Sequence, residues 1–103
     1  MPEPDSVRVV DNPGQNRYEA YVGDELAGFL AYRTRPSLVV LVHTEVDPAF
    51  EGHGVGGRLA SVALQDLRAR GLKVKPLCPF IVRYLERHPE LADVVAEGSP
   101  PGI

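Results

Sequence analysis

The stretch EVDPAFEGHGVGGRLASVAL, Glu45 to Leu64, places four glycines among the six residues Gly52 to Gly57 and runs from them straight into an apolar, alanine-rich pattern. Glycines ahead of a helix leave its first unpaired N–H groups open to a ligand, and the helix dipole adds partial positive charge at the same point. The loop is therefore a candidate cradle for phosphate. As a string, Gly52-His53-Gly54-Val55-Gly56-Gly57 also satisfies the dinucleotide fingerprint G-x-G-x-x-G. The string alone is weak, and the elements on either side decide what kind of loop it is.

Downstream, Val55, Leu59, Val62, Ala63 and Leu67 recur at helical spacing while Arg58, Gln65, Asp66 and Arg68 fall largely elsewhere, which predicts a helix from Val55 to Arg70. Gly71 ends it as a C′ glycine does. LKVKPLC then reads as a short strand with Pro76 near its end, and PFIVRYLERHPE as a second helix opened by Pro79 and closed before Pro89. Upstream, LVVLVHTEV follows Arg35-Pro36-Ser37 and stops at Asp47-Pro48. It is too β-branched and apolar for an exposed strand, so it is expected to be buried on both faces. Before it, SVRVVDNPGQNRYEAYVGDELAGFLAYR alternates β-prone runs with turn chemistry at Asn12-Pro13-Gly14 and Gly23-Asp24, a meander of three antiparallel strands. No internal repeat is evident.

A β-loop-α-β unit attached to an antiparallel meander makes the fold class α+β. It also removes two readings of the loop. A dinucleotide fold needs an acidic residue about 20 positions on, at the end of the next strand, to hold the ribose. Here that strand ends in Leu77-Cys78, and three strands precede the unit where a nucleotide-binding half would begin with it. A Walker loop is excluded because no Lys-Ser or Lys-Thr follows the glycines.

With 103 residues and 44% hydrophobic content, the chain fits one domain, residues 1–103, with a core from about 7 to 95 and a mobile tail over 97–103. Eleven basic and 14 acidic residues give no basic footprint for nucleic acid. No apolar run approaches the roughly 20 residues of a membrane span. The start MPEPDSVRVV lacks the basic and apolar segments of a signal peptide, which points to the cytoplasm. The lone Cys78 allows no internal disulfide and is either a buried small hydrophobe or a reactive thiol.

Taken in order, the buried strand VHTEV, the loop EGHGVGGRL opening a helix, and KVKPLCPF leading to another helix resemble the GNAT superfamily of acetyl-CoA-dependent N-acetyltransferases. Within it the likeness is to the small single-domain branch of the N-acetyltransferase domain-containing protein 1 type, over roughly Tyr18 to Val95. The resemblance implies a minimal GNAT fold in which the LVVLVHTEV and LKVKPLC strands splay apart. It also implies that coenzyme A fills the gap, its pantetheine arm bonding backbone near Val46. The family loop pattern is Gln or Arg, two free positions, Gly, any residue, then Gly or Ala, and its amides bind the coenzyme pyrophosphate. Carried over, Gly54 and Gly56 take the two small positions, and the amides of Gly52, His53, Gly54, Val55, Gly56, Gly57 and Arg58 face the phosphates. Glu51 stands where Gln or Arg is usual; its carboxylate would repel a pyrophosphate, with solvent and Arg58 offsetting that cost. Only DNPGQN bridges the first two strands, where larger relatives place helices that wall the acceptor site. An open acceptor side follows, suited to a large acceptor such as a polypeptide lysine or amino terminus, or to one held loosely.

His43 and Glu45 lie two apart on a strand and share a face, with Thr44 on the other. Two ionisable groups ending an apolar strand suit a general base, and the resemblance implies one here; partial burial would tune Glu45 for it. The alternative is a hydrogen-bonding pair where the strand meets solvent. Cys78, before Pro79, can occupy a helix cap where amides favour its thiolate. The resemblance leaves it either an acyl acceptor or an inert buried thiol. Tyr84 is either a proton donor to the departing coenzyme thiolate, as in many relatives, or core packing with Phe80 and Ile81. His53 and His88 read as solvated, and no residues at ligand spacing support a metal site. The expected function is acetyl-CoA-dependent transfer to an amine. A non-catalytic acyl-CoA sensor or interaction module is the alternative, and a nucleotide-binding regulatory domain rests on the glycine string alone.

Overall fold

A computed structural model describes residues 6–96; the tail at 97–103 lies outside the described residues. β1 (Val7–Asn12), β2 (Arg17–Val22) and β3 (Glu25–Arg35) form the expected three-stranded antiparallel meander, and β4 (Leu38–Val46) extends it by pairing antiparallel with β3. The chain then crosses through helix α1 (Val55–Ala69) to β5 (Lys73–Pro76), which lies parallel to β4, so the sheet order is β1-β2-β3-β4-β5. Helix α2 (Pro79–Arg87) and a 3-10 segment, Pro89–Val94, complete the described chain.

Alternation along the strands sets the layers. Tyr18, Ala20, Leu30, Tyr32, Val39, Leu41 and Val74 are buried and share one core with Leu59, Ala63, Leu64 and Leu67 of α1 and Ile81 and Leu85 of α2. The other face of the sheet carries Arg33, Arg35, Lys75 and Leu77 with no helix over it among the described residues, and Leu77 is 54% exposed. The double burial expected of β4 is therefore absent: Val39 and Leu41 are buried, while Leu38, Val40 and Val42 are only half-buried on the open side. Their apolar character reflects strand propensity and partial cover by neighbours, not a second layer.

α1 is tied down at its C-terminal end. Gly71 takes φ +74°, its N–H reaches the Arg68 carbonyl at 3.0 Å, and the Leu72 N–H reaches Leu67 at 3.0 Å, the paired bonds of a Schellman turn. Nearby, Tyr18 donates to Asp66 at 2.6 Å and Tyr32 to Asp11 at 2.6 Å, and Arg70 donates to both carboxylates. Burial, then the bond to Asp66, push the Tyr18 hydroxyl well above its ordinary range, so it stays a donor. Burial pushes the Asp66 carboxyl up, but the bonds from Tyr18 and Arg70 outweigh it and hold the group below the usual value. This chain of bonds joins α1 to β1, β2 and β3.

Candidate functional site

β4 and β5 pair only over Leu38–Leu41 and Lys73–Pro76. Pro76 has no N–H to continue the ladder. The next two amides, Leu77 and Cys78, both donate to the Leu41 carbonyl at 2.9 and 3.2 Å, and there the strands part. β4 runs on to Val46, still paired with β3 on its other edge. The Asp47 N–H points to β3, bonding Ala27 at 2.8 Å, so by strand alternation the N–H groups of Val46 and Thr44 point into the gap.

A bulge decides what surrounds that gap. Tyr32 pairs with Leu41 and Ala31 with His43, leaving Val42 as an extra residue. Strict alternation would turn His43 and Glu45 to the same side as Val39 and Leu41. The bulge turns them to the open face instead, where both are exposed. Glu45 pairs with Phe29, whose ring meets His43 edge-on at 6.2 Å and lies under the Arg17 guanidinium at 4.8 Å. The two residues thus share a face, as expected, but the partial burial expected to tune Glu45 is missing. Leu26, Phe29, Glu45, Asp47 and Pro48 line a groove of about 400 Å³ at this end of the sheet. Beyond Phe29 lies Glu19, a buried carboxylate: burial pushes it up, but bonds from Arg17, Tyr21 and Asn12 hold it below the ordinary value.

On the helix side of the gap, Thr44 Oγ1 and Cys78 Sγ are 3.3 Å apart. Cys78 sits at the N-cap of α2, as its place before Pro79 predicts, yet its side chain makes no cap bond and it is 4% exposed. β4 therefore stands between Cys78 and the His43–Glu45 pair.

The glycine loop approaches the gap from below. Gly54 is the N-cap of α1 with φ +75° and no side-chain cap, and Gly52 has φ +87°. The first intrahelical bond runs from the Arg58 N–H to the Gly54 carbonyl at 3.0 Å, so among the described residues Val55, Gly56 and Gly57 keep amides without a backbone acceptor. Two of the seven expected phosphate-facing amides are committed: Arg58 to that bond, and His53 to Phe50 at 3.2 Å. The Arg58 side chain is also turned away, its Nε 3.4 Å from the Val7 carbonyl, and Glu51 is exposed. His53 meets Phe50 edge-on at 5.9 Å. The remaining donors, Gly52, Gly54, Val55, Gly56 and Gly57, suit an anion. A Cβ on Gly57 would have no atom within 4 Å, which leaves the approach clear.

Two residues were not singled out by the sequence. A Cβ on Gly28 would stand 2.6 Å from the Glu45 carbonyl and 3.1 Å from Val55, so this glycine lets β3 pass under the junction of strand and loop. A glycine interrupting a strand pattern is the signal for such an approach. Phe80 is the other: a Cβ on Gly56 would come within 2.9 Å of its ring, so that glycine serves helix packing. Tyr84 lies away from the gap, half-buried and stacked on His88 at 4.1 Å. Among the described residues, no three His, Cys, Asp or Glu are grouped to hold a metal, and no helix is long and apolar enough to cross a membrane.

Comparison with known proteins bears on this arrangement. The solution NMR structure of a Staphylococcus aureus protein described as GCN5-like, a candidate N-acetyltransferase, superposes with a TM-score of 0.67 over 89% of this chain and 90% of that one. Its sequence identity is 21%, so the likeness is one of fold. A comparison with curated proteins finds no match. The family model described as GCN5-related N-acetyl-transferase matches residues 17–94, a span that takes in β2 to β5, the glycine loop and both helices but not β1. The chain belongs to the GCN5-related N-acetyltransferase (GNAT) family.

Proposed function

We propose that this chain, acting as a single domain, transfers an acetyl group from acetyl-CoA to an amine carried by a polypeptide or another loosely held acceptor. One observation carries the reading: β4 parts from β5, and the unpaired end of β4 at Val46 lies beside Val55, at the start of a helix whose first amides have no backbone acceptor among the described residues. The free amides offer donors to an anionic diphosphate, and the unpaired edge at Thr44 and Val46 offers them to an amide-bearing arm. When bound, acetyl-CoA supplies an acetyl thioester. Gly52, Gly54, Val55, Gly56 and Gly57 hold the diphosphate, and the Val46 edge holds the arm and polarises the carbonyl. Glu45, on the open face, takes the proton from an incoming amine, with His43 beside it as a second group able to do so. Cys78 is buried against Thr44, which favours direct transfer over a route through an acetylated thiol.

The test is acetyl transfer to a panel of lysine peptides, amino-terminal peptides and small amines. Glu45→Gln should lower kcat about 100-fold or more while leaving coenzyme affinity unchanged. Undiminished turnover by this variant removes Glu45 from the reaction. The open acceptor side, where a groove of about 400 Å³ adjoins an exposed Glu45, favours a second reading as a non-catalytic acyl-CoA sensor. Coenzyme A binding without transfer to any member of the panel would select it. A melting temperature raised by NAD or ATP and not by coenzyme A would sink both.

A further inference from the structure

The open face of the sheet is charged unevenly from end to end. On β3, Phe29, Ala31, Arg33 and Arg35 alternate onto this face, opposite Glu45, His43, Val40 and Leu38 of β4. Val40 therefore has Arg33 on one side and, across the parallel pairing with β5, Lys75 on the other. Arg33, Arg35 and Lys75 are exposed, and among the described residues none of them pairs with a carboxylate. Between them Val40, Val42 and Leu77 floor a groove of about 430 Å³. Toward the other end, Glu45 and Asp47 stand exposed beside Phe29. By the rise of a strand, Arg33 lies about 13 Å and Arg35 about 20 Å along β3 from Phe29, the partner of Glu45.

We propose that this groove docks an acidic, apolar segment of a polypeptide acceptor, about four to six residues along its chain from the amine presented to Glu45. The docking rests on the proposed transfer to a polypeptide amine at that residue. An extended segment laid along β3 and β4 covers the interval at about 3.3 Å per residue, so its carboxylates meet Arg33, Arg35 and Lys75 while its amine lies at the Glu45 end. An apolar side chain beside those carboxylates would cover the floor, where Leu77 is otherwise left 54% exposed. The order of charge selects a polypeptide over other anions. A nucleic acid or an anionic membrane carries one sign throughout, and Glu45, Asp47 and the net charge of −3 on the chain repel it. A segment with carboxylates at one end and an amine at the other is matched at both.

Acetyl transfer from acetyl-CoA to alanine-based lysine peptides, with one Asp-Leu pair moved along the chain, separates this docking from the reading beneath it. KM should fall about tenfold when the pair stands about four to six residues from the lysine, and less at other spacings. The double variant Arg33→Glu, Lys75→Glu should lose that preference, favour an Arg-Leu pair at the same spacing, and acetylate the peptide without a pair as the wild type does. High salt should erase the preference in the wild-type protein, which decides the matter if the variant does not fold. Transfer that ignores the position of the pair, or a preference that survives the double variant or high salt, overturns the docking while the acetyltransfer reading stands. No transfer to any peptide, those with the pair included, overturns both. Phosphatidylserine vesicles that displace the peptide would give the face to a membrane, and a dimer in sedimentation that the double variant dissolves would give it to a second copy; either result overturns the docking.

Discussion

At its C-terminal end α1 is tied into the protein by a Schellman turn and by the chain of bonds through Tyr18, Asp66, Arg70, Asp11 and Tyr32. At its N-terminal end Val55, Gly56 and Gly57 keep amides without a backbone acceptor among the described residues, behind an N-cap glycine with no side chain to satisfy them. Ser, Thr or Asp at an ordinary N-cap stabilises a helix by a few tenths of a kcal/mol over glycine, a contribution that φ +75° at Gly54 disfavours here. That stability is forgone in the part of the molecule that faces the gap between β4 and β5. The contrast teaches that holding the helix and offering its dipole to a ligand are assigned to opposite ends, so each can be damaged without the other.

The sharpest way to break that separation is at Gly57. Its Cβ would stand in open space, and a glutamate at the third helical position is favourable to the dipole. Gly57→Glu should therefore raise stability by about 0.5–1 kcal/mol, chiefly from replacing a helical glycine. It should also weaken coenzyme A binding by about 100-fold or more, equivalent to about 2.7 kcal/mol, because a carboxylate then fills the anion site. Calorimetry beside thermal unfolding reads both effects, and undiminished affinity would remove the amides from the binding site. Gly54 and Gly56 are poorer probes, since φ +75° at one and Phe80 against the other would confound binding with strain.

The opposite end should respond in reverse. Asp66→Ala removes the acceptor of the buried Tyr18 hydroxyl and should cost about 1–2 kcal/mol in denaturant unfolding, with coenzyme affinity unchanged. Because the folded protein holds the Asp66 carboxyl below its ordinary value of 3.8, its contribution is complete above that pH and lost as pH falls through the lower folded value. The alanine variant should consequently lose less stability than the wild type between pH 7 and pH 3. Parallel losses in the two proteins would show that the ionised carboxylate is not what holds this end.

The smallest effect is expected at Glu51, exposed beside the loop. Glu51→Gln should tighten coenzyme A binding by a few tenths of a kcal/mol, up to about 1, with the gain shrinking at high salt. Weaker binding by the glutamine variant would instead mean that Glu51 orients the loop.

The features that could be read from the sequence are those set by neighbours along the chain. The period from Val55 to Leu67, the stop at Gly71 and the N-cap position of Cys78 each depend on a few adjacent residues and stand as expected, although the Cys78 side chain makes no cap bond. The bulge at Val42 carries no such local mark, so the sequence shows that His43 and Glu45 share a face but not which one. The second covering layer expected over β4 failed for a related reason: an apolar strand reports propensity and cover together. Tyr18 and Asp66 are 48 positions apart, and Asp11 and Arg70 59, so their bonds exist only after the fold brings them together. At the loop, glycine content marks where amides can be open. Only geometry shows that the His53 and Arg58 amides are already occupied.

β4 has Cys78 on its helix side, the gap along its edge and Glu45 on its open side. In the proposed reaction, thioester and amine would thus enter by separate doors. Neither would have to leave before the other arrives, and the kinetic order would be that of a ternary complex formed in either sequence.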